Sequence, residues 1–178
     1  MFFRSMKVWI AATVLVVLVL AGTAIGVHVT SSTSFCLSCH EMRVHQQELA
    51  LSPHAQDARG NAIECVQCHI PSTNIVRMLS AKTWLGTKDL WVHATTGGSV
   101  TLNRREIQPE ARRFMDDANC RACHEDLYRN AKNDGAISEY GRLAHDNYLD
   151  KNGSSRSGCA GCHRNIAHLP PEDRHYDA

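Results

Sequence analysis

Apolar residues in this chain are concentrated near the N-terminus. From Val8 to Val27 there is no charged side chain, and Val, Leu, Ile and Ala dominate. A helix rising about 1.5 Å per residue makes this run about 30 Å long, enough to cross the hydrocarbon layer of a bilayer. Arg4 and Lys7 precede it, and no Asp, Glu, Lys or Arg follows until Glu41. That asymmetry predicts a cytoplasmic N-terminus and an exported remainder. The competing reading is a cleaved signal peptide, for which Ala21-Gly22-Thr23-Ala24 offers small residues. Signal peptides carry apolar stretches of about 7–15 residues, and this one is longer, which favours a retained anchor.

Downstream the pattern changes to short amphipathic pieces. Asn74 through Ala94 predicts a helix, opened by Pro71-Ser72-Thr73-Asn74 and ended by Thr95-Thr96-Gly97-Gly98-Ser99. Ile75, Val76, Met78, Leu79, Leu85, Leu90 and Val92 give it apolar cover. Trp84 and Trp91 share one face, and Lys82 and Asp89 share another, each pair two turns apart. Tryptophan favours the boundary between membrane and water. Periodicity by itself is equally met by an ordinary packing helix with solvated charges. A second short helix is predicted from Glu106 to Asn119, and a surface loop at Asn152-Gly153-Ser154-Ser155.

Composition alters this picture in one respect. The 178 residues hold 19 basic and 18 acidic side chains, a net charge of +1, which gives no footprint for nucleic acid. Aromatic residues are only 6%, so a large side-chain core is not expected. Cysteine and histidine are abundant, at 8 and 11. Every cysteine falls in a repeated pattern: Cys36-Leu37-Ser38-Cys39-His40, Cys65-Val66-Gln67-Cys68-His69, Cys120-Arg121-Ala122-Cys123-His124 and Cys159-Ala160-Gly161-Cys162-His163. C-x-x-C-H is the attachment pattern of a c-type haem. Two thiols must reach two vinyl groups of one porphyrin, and the next residue must bring its imidazole under the iron.

Zinc knuckles and disulfide frameworks also use paired cysteines. Neither explains a histidine directly after every second cysteine. With 11 His in 178 residues, chance supplies all four about once in 70,000 trials. Four covalently bound haem c groups follow, and their apolar discs would fill the interior that side chains do not.

The predicted fold class is mainly α. One N-terminal transmembrane helix, with a short cytoplasmic stub, occupies residues 1–30. A compact periplasmic domain, residues 31–178, wraps short helices and loops around four haems. A first haem pair spans about 34–72, a second about 115–170, with the cysteine-free stretch between them. The first haem would sit near the membrane, because the short segment His28–Phe35 limits its distance from the anchor.

Each iron has two axial positions. His40, His69, His124 and His163 are the proximal candidates. For the opposite faces the chain offers His45, His54, His93, His145 and His168, with Met42 as a thioether alternative. His28 at the membrane boundary and His175 in the polar tail are set aside. Spacing does not choose among the rest. Arg104, Arg105, Arg112 and Arg113 suit haem propionates or an acidic partner, although a solvated helix face is the plainer reading.

These residues resemble the NapC/NirT/NrfH family of membrane-anchored tetrahaem quinol dehydrogenases. The likeness covers nearly the whole chain: one anchor, four C-x-x-C-H motifs, and a long gap between the second and third. Phe35-Cys36-Leu37-Ser38-Cys39-His40-Glu41-Met42 resembles the family's first site, and Ser52-Pro53-His54 a segment supplying a distal histidine. Lys88-Asp89-Leu90-Trp91 is similar to the stretch beside haem 1, and Cys162-His163-Arg164-Asn165-Ile166-Ala167-His168 to the closing motif.

The resemblance implies that Met42 can bind the haem 1 iron in place of His40, leaving that haem without a strong sixth ligand. It places Asp89 on the distal side of haem 1 and Lys82 in the same quinol pocket. It pairs His54 with haem 4, His168 with haem 3 and His145 with haem 2, the last leaning toward NapC-like members. His45 matches no family feature. His93, one turn after Asp89, reads as a packed or solvated histidine.

The expected function is oxidation of menaquinol or ubiquinol from the membrane pool at the bacterial inner membrane. Electrons would pass to a periplasmic reductase or cytochrome, of the nitrate or nitrite respiratory type. Asp89 would act as general base and Lys82 as a hydrogen-bonding or charge-stabilising group. A stable complex or homo-oligomer accords with the family. Alternatives are an electron carrier without its own quinol site, a terminal reductase, and reverse flow from an oxidative pathway into quinone.

Overall fold

The computed structural model describes residues 2–98, 104–130, 135–150 and 158–168, with side chains of 2–5, 104–106 and 113 excepted. Among the described residues the chain is helical, with only isolated bridges at Gln56–Ala62 and Arg129–Ala136. Helix α1, Phe2–Val29, is continuous through the apolar run. Its Met6–Val29 portion is long and apolar enough to cross a membrane, and none of its most apolar stretch is buried inside the protein. Hydrocarbon side chains with no protein partner fit the lipid-facing anchor expected from sequence.

Beyond the anchor come α2 (Thr33–Cys36), a 3-10 turn at His40–Met42, α3 (Arg43–Ala50) and α4 (Cys65–His69). The long α5 (Ile75–Thr96) follows, then α6 (Arg104–Phe114), α7 (Asp117–Arg121), α8 (Glu139–Asp150) and α9 (Gly158–Cys162). Asn74 caps α5 by accepting from the N–H groups of Val76 and Arg77, satisfying donors that the first turn leaves open. Gly97, at φ 63°, ends the helix in the left-handed region.

The single helix expected over Glu106–Asn119 is two. Helix α6 stops at Phe114, and Asp116 starts α7 by accepting the Ala118 N–H at 3.1 Å. An N-cap aspartate at that point favours a restart over continuation. Arg77 donates to Asp116 at 2.8 Å, tying α5 to the same junction. The loop expected at Asn152–Ser155 lies outside the described residues.

Leu49 and Pro71 are the buried apolar side chains among the described residues, and none is fully buried. Short-range helix chemistry and long-range polar ties position the backbone instead. The order of contact is α2 against α4, α4 against α7, and α7 against α9. Each of these helices carries part of one C-x-x-C-H motif, so the four motifs touch in the order of the chain.

Candidate functional site

The polar ties between motifs come from residues just ahead of the cysteines. Glu64, preceding Cys65, accepts the N–H of Thr33 at 2.7 Å, in the first turn of the helix that ends in Cys36. Thr33 in turn accepts the Cys65 N–H at 3.2 Å. Asn119, preceding Cys120 and 8% exposed, donates to the Ile70 carbonyl at 2.8 Å, just past the second motif. Asp117 accepts the Cys159 N–H at 2.8 Å and the Tyr148 hydroxyl at 2.9 Å. These ties hold motif one to two, two to three, and three to four. The sulfurs follow: Cys36 lies within hydrogen-bond reach of Cys65, and Cys120 within reach of Cys159.

The motif histidines face partners from elsewhere in the chain. Ring centres are 6.0 Å apart for His40–His93, 5.9 Å for His69–His168, 6.1 Å for His54–His124 and 5.9 Å for His145–His163. An imidazole nitrogen binds a metal at about 2 Å and lies roughly 1 Å from its ring centre, so two imidazoles on opposite faces of one iron stand about 6 Å apart. The donor set and its spacing therefore fit a haem iron at the second, third and fourth motifs, whereas Glu41 Oε1 stands 3.8 Å from His40 Nε2 and 2.8 Å from His93 Nδ1, between the rings of the first pair.

The partner rings are also oriented for this. His93 Nδ1 donates to Glu41 Oε1 at 2.8 Å, His168 Nδ1 to the His45 carbonyl at 3.0 Å, and His145 Nδ1 to the Leu127 carbonyl. Each bond fixes the ring and leaves Nε2 as the metal-binding nitrogen. Burial, with His168 and His45 close by, pushes His69 down to about 4, which keeps its imidazole neutral as ligation requires. Burial also lowers His54, against a hydrogen bond with the Ile166 backbone.

This pairing differs from the one the resemblance implied. The ring contacts set His54 beside His124 of the third motif, His168 beside His69 of the second and His145 beside His163 of the fourth, where the resemblance implied the fourth, third and second haems. All three arrive by long-range packing that sequence spacing does not encode. His45 acts through its carbonyl on His168, and the two rings stand 5.3 Å apart. Met42 closes the 3-10 turn that begins at His40.

The second cluster joins α5 to the membrane boundary. Lys82 Nζ donates to Ser31 Oγ at 2.8 Å and lies 3.5 Å from the Val27 carbonyl, where the apolar run ends. Cys36 Sγ lies within electrostatic range of Lys82, so the lysine stands near the first motif. Burial lowers its pKa. Two turns on, Asp89 sits at an exposed position, yet crowding by protein atoms raises its carboxyl, against a smaller opposing effect of Lys88. Trp84 and Trp91, 62% and 69% exposed, occupy a different face of the helix.

Sequence reasoning missed Glu41, Glu64, Asn119 and Asp117 as organising residues. Their positions within three residues of a motif were the available signal. Arg112 donates to Gln108 at 2.9 Å, on its own helix face. The side chains of Arg104, Arg105 and Arg113, and all of His175, lie outside what the structure describes.

Residues 2–173 match the NapC/NirT cytochrome c family, N-terminal region. The chain belongs to this family. It is a c-type cytochrome with covalently attached haem and a membrane-anchor helix. It is 29% identical over 153 residues to the tetraheme c-type cytochrome CymA of Shewanella oneidensis, covering 82% of this chain and 80% of CymA. Cytochrome c-type protein TorY of Escherichia coli O157:H7 is 31% identical over 154 residues, and the match spans 82% of this chain but 39% of TorY. A chain in the crystal structure of the cytochrome c nitrite reductase NrfHA complex bound to the HQNO inhibitor superposes with a TM-score of 0.51. That match has 26% identity and covers 90% of this chain and 89% of the other.

Proposed function

We propose that this NapC/NirT-family cytochrome is a tetrahaem quinol dehydrogenase of the bacterial inner membrane. It oxidises menaquinol or ubiquinol at the outer membrane boundary and supplies a periplasmic terminal reductase or cytochrome. The observation that carries this reading is the position of Lys82. It pins α5 to the outer end of the anchor beside Cys36, with Asp89 on the same helix face. A lipid-soluble donor leaving the bilayer meets a cation, a carboxylate and the first haem attachment site together.

The haems, when bound, supply one-electron acceptance and a relay away from the membrane. They are held by Cys36 and Cys39, Cys65 and Cys68, Cys120 and Cys123, and Cys159 and Cys162. His69, His124 and His163 would bind the second, third and fourth irons, with His168, His54 and His145 the histidines placed to join them in that order. At the first site His40 or Met42, both in the 3-10 turn that follows Cys39, would bind the iron.

The chain's own residues handle the protons and the orientation. Quinol oxidation releases two protons for every two electrons. Asp89, with its raised pKa, accepts a proton from a quinol hydroxyl as general base. Lys82 holds the other oxygen by hydrogen bonding and stabilises negative charge as it forms. The Ser31 hydroxyl and Val27 carbonyl fix the ammonium in place.

The test is anaerobic mixing of detergent-purified protein with a menaquinol analogue, followed by haem absorbance. Fast reduction, blocked by a quinol-site inhibitor, is expected. Reduction by dithionite but not by quinol would leave an electron carrier fed by another protein.

A further inference from the structure

We propose that α5 is an interfacial helix: its exposed, uncharged face, centred on Thr87 and carrying Trp84 and Trp91, lies on the outer leaflet of the bilayer that holds α1, in the glycerol and headgroup layer. This rests on the membrane-anchor reading of α1 and not on the quinol chemistry of Lys82 and Asp89.

Polar ties fasten α5 at both ends and at its middle. Arg77 donates to Asp116 at 2.8 Å near the start of the helix, and His93 Nδ1 meets Glu41 Oε1 at 2.8 Å near its end. Between them Lys82 Nζ donates to Ser31 Oγ at 2.8 Å and stands 3.5 Å from the Val27 carbonyl, where the apolar run of α1 stops. The middle of α5 is thus held at the level where the anchor leaves the hydrocarbon, and its ends are held by the haem-attachment segments.

These ties leave one side of the helix bare. With about 100° between successive residues, Val76, Thr83, Trp84, Thr87, Leu90 and Trp91 share about a third of the circumference. They fill the arc between Arg77 on one side and Lys82 and His93 on the other. All six are exposed, and the apolar Val76 and Leu90 are 69% and 67% exposed. The shallow hollow over this face is lined by Leu79, Ser80, Thr83, Trp84 and Thr87, all from α5. Among the described residues no other element covers it.

The chemistry of the face suits lipid at the boundary. It bears no charge, yet threonines are interleaved with the apolar residues, a mixture that fits the headgroup layer better than the bilayer centre. An indole ring buries an apolar body and keeps an N–H for a lipid oxygen. Asp89 is the single acid of α5, against Arg77, Lys82 and Lys88, and Lys88 is exposed at the margin beside Trp84 and Trp91. A cation there reaches anionic headgroups. The face also continues an existing lipid contact, because none of the most apolar stretch of α1 is buried in the protein. Lys82 and Asp89 lie on the far side of α5 from Thr87. Seating α5 in the headgroups adds a second hold on the bilayer and keeps that pair at a constant depth for a donor that stays in the lipid.

The experiment places the full-length, haem-loaded protein in nanodiscs of phosphatidylethanolamine and phosphatidylglycerol that include a phospholipid with a diazirine at the glycerol end of its acyl chain. After illumination, labelled peptides are mapped by mass spectrometry. Label is expected on α1 and on the Thr83–Trp91 segment of α5, and not on Tyr140 of α8, which is 86% exposed. Label on α1 with none on α5 would overturn the proposal, as would equal label on Tyr140. An unlabelled α1 would overturn the anchor reading as well. Hydroxyl-radical oxidation in the same nanodiscs separates the other occupants. Protection of Trp84 and Trp91 without lipid label would mean that another protein copy covers the face, and ready oxidation of both would mean that water does; either result overturns the proposal. Trp84→Glu combined with Trp91→Glu, with haem content as in wild type, should bring the α5 label to background and leave the α1 label unchanged. If that protein fails to load haem, Trp84→Ala with Trp91→Ala is measured in the same way, and an undiminished α5 label would overturn the role of this face.

Discussion

Thr33 donates its backbone N–H to the Glu64 carboxylate at 2.7 Å, joining the helix that ends in Cys36 to the residue before Cys65. This bond, with the Thr33–Cys65 bond running the other way, is the polar hinge between the first two attachment sites. The hydrogen bonds from Thr33 lower the Glu64 pKa. A carboxylate with a lowered folded pKa contributes stability above its unfolded value and loses it as pH falls through the folded one. Glu64→Gln should therefore flatten the acid limb of a thermal-melt profile below about pH 4.5, the unfolded range. Because Glu64 is exposed, its cost at pH 7 should stay within about 1 kcal/mol. An acid limb identical to wild type would rule the bond out as a contributor.

Asp117 makes the matching tie between the third and fourth sites. Gly158 has φ 54°, and a Cβ there would lie 2.7 Å from Asp117 Oδ1. Gly158→Ala should cost about 1–2 kcal/mol from backbone strain, plus displacement of the carboxylate. Differential scanning calorimetry should show a lower Tm, and Asp117→Ala should lower it as well. A Gly158→Ala protein melting like wild type would mean the contact is not made in solution.

The pairing of His145 with the fourth motif has its own consequence. His145→Ala should leave four covalent haems and turn one low-spin haem high-spin in EPR. In a Cys159→Ala, Cys162→Ala background, which lacks the fourth haem, the same change should have no further effect on spin state. A new high-spin signal in that background would assign His145 to another haem. His54→Ala and His168→Ala are expected to act likewise on the third and second haems.

Asp89→Asn should slow quinol oxidation by about 100-fold or more, the usual contribution of a positioned base, with haem content unchanged. The wild-type rate should rise with pH as Asp89 deprotonates, above the ordinary carboxylate range because crowding raises its pKa. The variant should lose that pH step. Since a raised carboxyl pKa makes ionisation cost folding stability as pH rises, Asp89→Asn should melt at or above the wild-type temperature at neutral pH. A normal rate would take Asp89 out of the mechanism, and a lowered Tm would show a structural role.

Lys82→Met removes the ammonium from Ser31 and from the quinol. Its expected effect is a rise of about tenfold in the quinol KM, equivalent to about 1.4 kcal/mol, with haem reduction by dithionite unaffected. An unaltered KM would confine Lys82 to packing α5 against the anchor.

The sequence by itself determined what depends on local chemistry. An uncharged run from Val8 to Val27 makes a spanning helix whatever surrounds it, and C-x-x-C-H marks a covalent attachment because both thiols and the imidazole lie within one five-residue segment. The caps of α5 at Asn74 and Gly97 were legible for the same reason. Tertiary structure alone decided which histidine faces which motif. His168 meets His69, and His145 meets His163, through packing between distant segments, so identical residue types at unremarkable spacings carried no address. His93, read from the sequence as a packed or solvated side chain, packs against Glu41 and Gly98. Gly98 lies just past the end of α5, and Glu41 comes from the 3-10 turn after the first motif, so only the second contact is long-range. Spacing along the chain fixes which atoms can be bonded to one haem, and only the fold fixes which side chain waits on its other face.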